Sequence, residues 1–161
     1  MASWFNWLVV KPYGTGHYIH GLAVVGNVFR TVDATIDRIE KVDTTFADLD
    51  YGRMRNISFI GNVFHGIGQE VRNPHSMTWD QATASRTWVV DPGTALPFRG
   101  RARTVEAVTP VGRITDAAGG EVYEAPWVEA EYDDDRRKVR LGFKTAVKGT
   151  TRVVVRMDNP F

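Results

Sequence analysis

His17 and His20 stand three apart in Gly14-Thr15-Gly16-His17-Tyr18-Ile19-His20. That spacing could share a metal on a helix. The flanking glycines and β-branched Ile19 argue instead for a strand or loop, and a strand puts the two rings on opposite faces. No further histidine or acid lies close by to complete a site, so no metal or other cofactor is expected. Gly14-Thr15-Gly16 lacks the Lys-Ser/Thr of a phosphate loop and reads as a turn. Asp133-Asp134-Asp135 lacks the following glycine and glutamate of a calcium loop. It reads as a solvated hairpin turn whose charge Arg136, Arg137 and Lys138 offset. Ser3, Ser58, Ser76 and Ser85 have no Gly-x-Ser-x-Gly context, and the absence of cysteine excludes thiolate chemistry. Asp33, Asp37, Asp48 and Asp50 could supply paired carboxylates for glycosidic cleavage, or could simply be solvated. No residue is assigned a catalytic role.

Aromatic side chains offer another chemistry. Trp4, Trp7, Trp79, Trp88, Trp127, Tyr123 and Tyr132 carry apolar faces with polar tips that can stack on sugar rings, and the same faces can anchor a core or a subunit interface. Trp79, in a linker-like segment, and Trp127, beside the strand-breaking Pro126, are expected to be exposed. With Tyr123 and Tyr132 they are the carbohydrate-contact candidates.

The elements that must hold these residues are announced by an internal repeat. His20-Gly21-Leu22-Ala23-Val24-Val25-Gly26-Asn27-Val28-Phe29 returns 35 residues later as Arg55-Asn56-Ile57-Ser58-Phe59-Ile60-Gly61-Asn62-Val63-Phe64. Repeats of such a period indicate stacked architectures. Each copy reads as strand, corner and strand, with Gly26-Asn27 and Gly61-Asn62 tolerating the left-handed backbone of a sharp corner. Stacked copies would lay Asn27 over Asn62 as an amide ladder, with the aliphatic pairs Leu22/Ile57, Val24/Phe59 and Val25/Ile60 along one inner face. Residues 31–53 fit strands or a weakly helical spacing, with a side loop near 43–51.

Arg72-Asn73-Pro74-His75-Ser76 carries turn chemistry and marks the expected boundary between domains 1–72 and 73–161. Beyond it, about five short alternating strands are expected, with turns at Asp91-Pro92-Gly93, Ala118-Gly119-Gly120, 133–135 and Lys148-Gly149. The expected fold is all-β: terminal coils of a right-handed parallel β-helix, then a small antiparallel β-sandwich. Met1 to Val10 reads as a strand that begins abruptly, as if inside a longer chain, and 157–161 as a natural C-terminus. Two coils expose strand edges, so an oligomer, a homotrimer, is expected. With 43% hydrophobic residues and net charge +1, neither nucleic acid nor membrane insertion is expected.

The repeated Gly-Asn-Val-Phe coils resemble the pectate-lyase-like right-handed parallel β-helix superfamily. Residues 20–64, with Gln81-Ala82-Thr83 and the closing Arg156-Met157-Asp158-Asn159-Pro160-Phe161, are similar to the C-terminal region of glycoside hydrolase family 28-related spike proteins of phages and gene transfer agents. The hydrolase motifs are missing: Arg38-Ile39-Glu40-Lys41 is not Arg-Ile-Lys, His65 follows Phe64 where the family has glycine, and the only Asp-Asp lies at 133–135. The resemblance implies a trimeric head spike or tailspike on a virion or gene-transfer-agent particle, attaching to capsular polysaccharide. A lyase or hydrolase with an inter-subunit site, and a purely structural oligomerisation domain, are the alternatives.

Overall fold

The structure, a computed structural model, describes residues 6–161 and is all-β. Among the described residues only two 3-10 turns, Tyr51–Arg53 and Pro97–Arg99, are helical. The chain divides into two compact units, one comprising Met1–Pro74, Thr94–Gly100 and Met157–Phe161, the other His75–Gly93 and Arg101–Arg156.

The first unit contains β1 (Leu8–Val10), β2 (Ile19–His20), β3 (Ala23–Val25), β4 (Val28–Arg30), β5 (Glu40–Val42), β6 (Met54–Arg55), β7 (Ser58–Ile60) and β8 (Val63–His65). Each of the first four pairs in parallel with its counterpart among the second four, β1 with β5, β2 with β6, β3 with β7 and β4 with β8. Parallel partners cannot be joined by a tight turn; here the whole intervening stretch of chain connects them. Val24 lies against Phe59, Val25 against Ile60, Val28 against Val63 and Phe29 against Phe64. The repeated residues are therefore matched one for one.

The corner between β3 and β4 sits over the corner between β7 and β8. Gly26 and Gly61 have φ of 68° and 66°. A Cβ would meet no close neighbour at either, so backbone conformation, not space, calls for glycine there. Asn62 Oδ1 accepts from the Asn27 N–H at 3.0 Å and from Asn27 Nδ2 at 3.2 Å, while Asn62 Nδ2 donates to the Val24 carbonyl at 2.8 Å.

Phe29, Ile39, Met54, Ile57 and Phe59 are buried, and Phe29 stacks on Phe64 at 5.7 Å. The expectation of a single inner face for all the repeated aliphatics is corrected. Val24/Phe59 point inward, but Val25/Ile60 point out and are exposed, as are Val28/Val63. Adjacent residues of a strand take opposite faces, so the run Val24-Val25 cannot be buried on one side alone. Residues 31–53 contain no α-helix; Ile36 bridges Ile67 in parallel, and Ile39 and Leu49 enter the core.

Everything after residue 72 was expected to form one C-terminal domain, and that too is corrected. Thr94–Gly100 and Met157–Phe161 return to the first unit because buried polar groups hold them. Arg38, ion-paired with Glu40 at 2.5 Å, donates to the carbonyls of Thr94 (2.5 Å) and Leu96 (2.9 Å), and Glu40 Oε1 accepts from the Phe98 N–H at 3.0 Å. Asp158, fully buried, accepts from the Ile57 N–H at 2.8 Å and from Asn73 Nδ2 at 2.9 Å; Asn73 Oδ1 accepts from the Met157 N–H at 3.0 Å. Asn73 also bridges Phe59, and Asn159 bridges Arg55. Asn159 thus covers an edge that β6 would otherwise expose, and Asn73 one that β7 would.

The second unit contains β9 (His75–Val90), β10 (Thr104–Pro110), β11 (Thr115–Asp116), β12 (Trp127–Tyr132) and β13 (Lys138–Arg156). β13 is the spine: β9 runs antiparallel along one edge, while β12, β11 and β10 follow one another along the other. The ladders join in one five-stranded antiparallel sheet, in which β9 and β13 run 16 and 19 residues where short strands were expected. Trp88, Val90, Val139, Leu141, Val147, Val153 and Val155 are buried, and Trp88 Nε1 donates to the Val147 carbonyl at 3.1 Å. The turn expected at Lys148-Gly149 is not made, and the two strands expected on either side of it are one. Gly149 sits at a register shift, and a Cβ there would fall 2.7 Å from Ile114 Cδ1. Close approach of the neighbouring chain, together with a φ of 149°, accounts for the glycine.

Candidate functional site

Two of the four aromatic candidates come together on β12. Trp127 opposes Gly142 and Glu129 opposes Arg140 across the β12–β13 ladder, so Trp127 and Glu129 share one face. Strict alternation would send Tyr132 to the opposite face. A register shift between Glu129 and Tyr132, with Glu131 at φ 52°, returns it to their side. The Arg140 guanidinium carbon then lies 4.9 Å from the Trp127 ring centre and 4.8 Å from that of Tyr132, while Nη2 meets Glu129 Oε2 at 2.5 Å. One arginine therefore holds two aromatic rings and a carboxylate in fixed relation.

Gly142 sets how the indole lies. A Cβ added there would fall 1.9 Å from Trp127 Cε2 and 2.2 Å from Cζ2. The ring thus rests directly on the backbone of β13 and remains 54% exposed. The adjoining hairpin is closed by Tyr132 opposite Lys138 and by an Asp133–Lys138 ion pair at 2.5 Å. Lys138, then the Asp134 N–H, hold the Asp133 carboxyl below the usual carboxylate range, and Asp133 in turn raises Lys138. Asp133–Asp135 make the solvated turn of this hairpin, with the Arg136 N–H donating to the Asp133 carbonyl at 3.0 Å. Arg140 with Glu129, and Lys138 with Asp133, cancel formal charge. What remains is a charge-compensated patch with apolar ring surface and polar rims.

The other two candidates lie elsewhere in the unit. Trp79 belongs to β9, opposite Thr151, not to a linker; it is half-buried, its Nε1 directed to Gln81 Oε1 at 3.4 Å. Tyr123 is exposed and its hydroxyl donates to the Glu121 carboxylate, which raises the phenol above its ordinary value. It lines a shallow depression of about 390 Å³ with Pro110, Arg113 and Ile114. Trp4 and Ser3 fall outside the described residues.

His17 is spent on the backbone: Nδ1 faces the Gly14 carbonyl at 2.9 Å, and Nε2 accepts from the Asp50 N–H at 2.8 Å. His20 Nε2 meets Asn56 Nδ2 at 3.2 Å. Among the described residues no group of three or more His, Asp or Glu could hold a metal ion. Asp37 pairs with Arg99 at 3.1 Å, and Asp50 accepts from the Gly52 N–H and pairs with Arg53 at 3.5 Å. At the corners expected to be structural, Asn27 and Asn62 hydrogen-bond to one another and Gly26 and Gly61 take positive φ.

Sequence reading missed Arg140, Glu129 and Gly142. Their one available signal was the alternation Arg140-Leu141-Gly142, which puts Arg140 and Gly142 on the face away from the core. No helix among the described residues is long and apolar enough to cross a membrane. Compared with protein-family models, curated proteins and solved structures, the chain matches none of them.

Proposed function

We propose that this chain is the receptor-binding and trimerisation module of a phage-like or gene-transfer-agent spike, and that it attaches to cell-surface capsular polysaccharide through the Trp127–Arg140–Tyr132 cluster. The first unit is read as the end of a right-handed parallel β-helix. That reading is supported by the offset of 35 residues that the stacked corner asparagines share with the β2–β6, β3–β7 and β4–β8 pairs and by a fourth parallel pair, β1–β5. A homotrimer is supported by the outward Val25/Ile60 and Val28/Val63 pairs, which leave apolar surface exposed two strands deep.

The observation that carries the glycan reading is the exposed Trp127 ring, seated on Gly142 and fixed by Arg140 beside Tyr132. The C–H face of a pyranose stacks on the exposed surface of such a ring, and the neighbouring Glu129–Arg140 pair offers polar groups to hydroxyls. Purified protein is mixed with encapsulated cells and with extracted capsule, and its mass is measured by sedimentation. Retention on cells without release of oligosaccharide, together with a trimeric mass, is the expected result. Oligosaccharide release favours a lyase or hydrolase. A trimer that retains no glycan is a structural oligomerisation domain, and a monomer at micromolar concentration removes the spike reading.

A further inference from the structure

We propose a second sugar-contact site in the first unit, formed by the loops at 11–18 and 43–50, in which a neutral pyranose stacks on the open face of Tyr13. The inference rests on the glycan reading above but uses residues of the other unit. Tyr13 and Phe46 stack with centroids 4.8 Å apart and ring planes within 22°, yet they remain 69% and 57% exposed. Phe46 takes one face of the tyrosine, so the exposure that remains belongs to the other face and the edge. Tyr13, backed on one side by Phe46, presents a flat apolar ledge, which is the shape a pyranose C–H face fits.

The ledge is held in place. Lys11 Nζ lies over the Phe46 ring at 4.8 Å and meets Asp43 Oδ2 at 3.1 Å. Asp43 Oδ1 accepts from both the hydroxyl and the N–H of Thr45, and the Asp43 N–H donates to the Val10 carbonyl at 2.8 Å. At the far end of the loops His17 joins the Gly14 carbonyl to the Asp50 N–H, and Arg53 donates to the Gly16 carbonyl at 3.1 Å. Both loops are thereby joined at each end, and a ledge fixed before binding loses little ordering entropy on contact. The ligand class follows from charge. Lys11 and Asp43 neutralise one another beside the rings, so the ledge favours an uncharged sugar over a uronate.

The test is affinity electrophoresis through gels containing a capsular polysaccharide that retains the wild-type protein, run on Tyr13→Ala, Tyr13→Trp and Trp127→Ala. Tyr13→Ala is expected to weaken retention roughly three- to tenfold, Tyr13→Trp to preserve it, and added salt to leave it unchanged. Tyr13 is exposed, so its variants are expected to melt with the wild type. Retention of Tyr13→Ala equal to wild type, with Trp127→Ala weakened, overturns the second site and leaves the glycan reading standing. If no capsule retains the wild type, the glycan reading falls and this site falls with it. A changed sedimenting mass in Tyr13→Ala with unaltered retention makes the ledge a contact between copies and overturns the proposal. A steep loss of affinity with salt overturns the neutral-sugar assignment.

Discussion

Replacing Gly142 by alanine tests whether the glycine exists to seat the Trp127 ring. In a strand, glycine to alanine ordinarily stabilises by roughly 0.5–1 kcal/mol, because glycine loses the most backbone freedom on folding. Here the new methyl would stand 1.9 Å from Trp127 Cε2, and the indole has to leave. About half of a ring that buries roughly 200 Å² when fully enclosed is now covered. Exposing that ~100 Å² is worth about 2.5 kcal/mol at 25 cal/mol/Å², and losing the Arg140 contact adds roughly 0.5–1 kcal/mol. The net destabilisation is therefore roughly 2–3 kcal/mol. In a Trp127→Ala background the clash is gone, and the same substitution reverts to its ordinary gain of roughly 0.5–1 kcal/mol. Urea unfolding of the four proteins reads this change of sign as a double-mutant cycle, and capsule retention is weakened in every protein with a displaced or deleted indole. Equal destabilisation by Gly142→Ala in both backgrounds would refute the reasoning and assign the glycine to backbone geometry.

The stacked corner is asymmetric: Asn62→Ala strands the Asn27 N–H and removes the side-chain donor to the Val24 carbonyl, and is expected to cost about 1–2 kcal/mol, whereas Asn27→Ala, which removes one exposed and one part-buried amide contact and leaves both Asn62 bonds to the backbone, costs under ~1 kcal/mol; thermal melts separate the two. Asp158→Ala takes the buried carboxylate acceptor from the Ile57 N–H and leaves Asn73 Nδ2 with the Ile57 carbonyl alone, and is expected to cost about 2–3 kcal/mol by denaturant midpoint. The Thr45 hydroxyl and N–H, then Lys11, lower the Asp43 pKa from 3.8 to about 2. A depressed folded-state value stabilises above the unfolded pKa, and that stability is lost as pH falls through the folded one. Melting temperature measured between pH 5 and pH 2 should decline across the interval from about 4 to about 2, and Thr45→Val, which removes the leading cause, should flatten that limb.

The first unit was legible because one corner occurs twice. Gly-Asn-Val-Phe recurs identically, and the backbone pairs Val28 with Val63 and Phe29 with Phe64 as an alignment of the two copies would. The inner and outer faces were less legible, since Val24 and Val25 are chemically alike and only their alternation separates them. The segments that close the stack were not legible at all. Their signals are single polar residues, Asn73 and Asp158, separated by 85 positions. No periodicity connects such a pair; only burial, which forces each polar group to find a partner, brings them together.

In the second unit, alternation identified strands but misjudged their continuity, and the same physics governs the site. Gly149 was taken for a turn residue and is instead a point of close approach inside a 19-residue strand. Gly142, seven residues earlier, is the same device turned outward: it clears the sheet for the Trp127 indole. A glycine in a strand gives no local sign of which neighbour occupies its missing side chain, because that neighbour belongs to another strand. The aromatic candidates could therefore be named from composition, whereas the residues that orient them could not. Arg140 acquires its place between Trp127 and Tyr132 only because a register shift in β12 turns Tyr132 to the same face. Without that shift, the two rings would stand on opposite sides of the sheet and no common ligand could touch both.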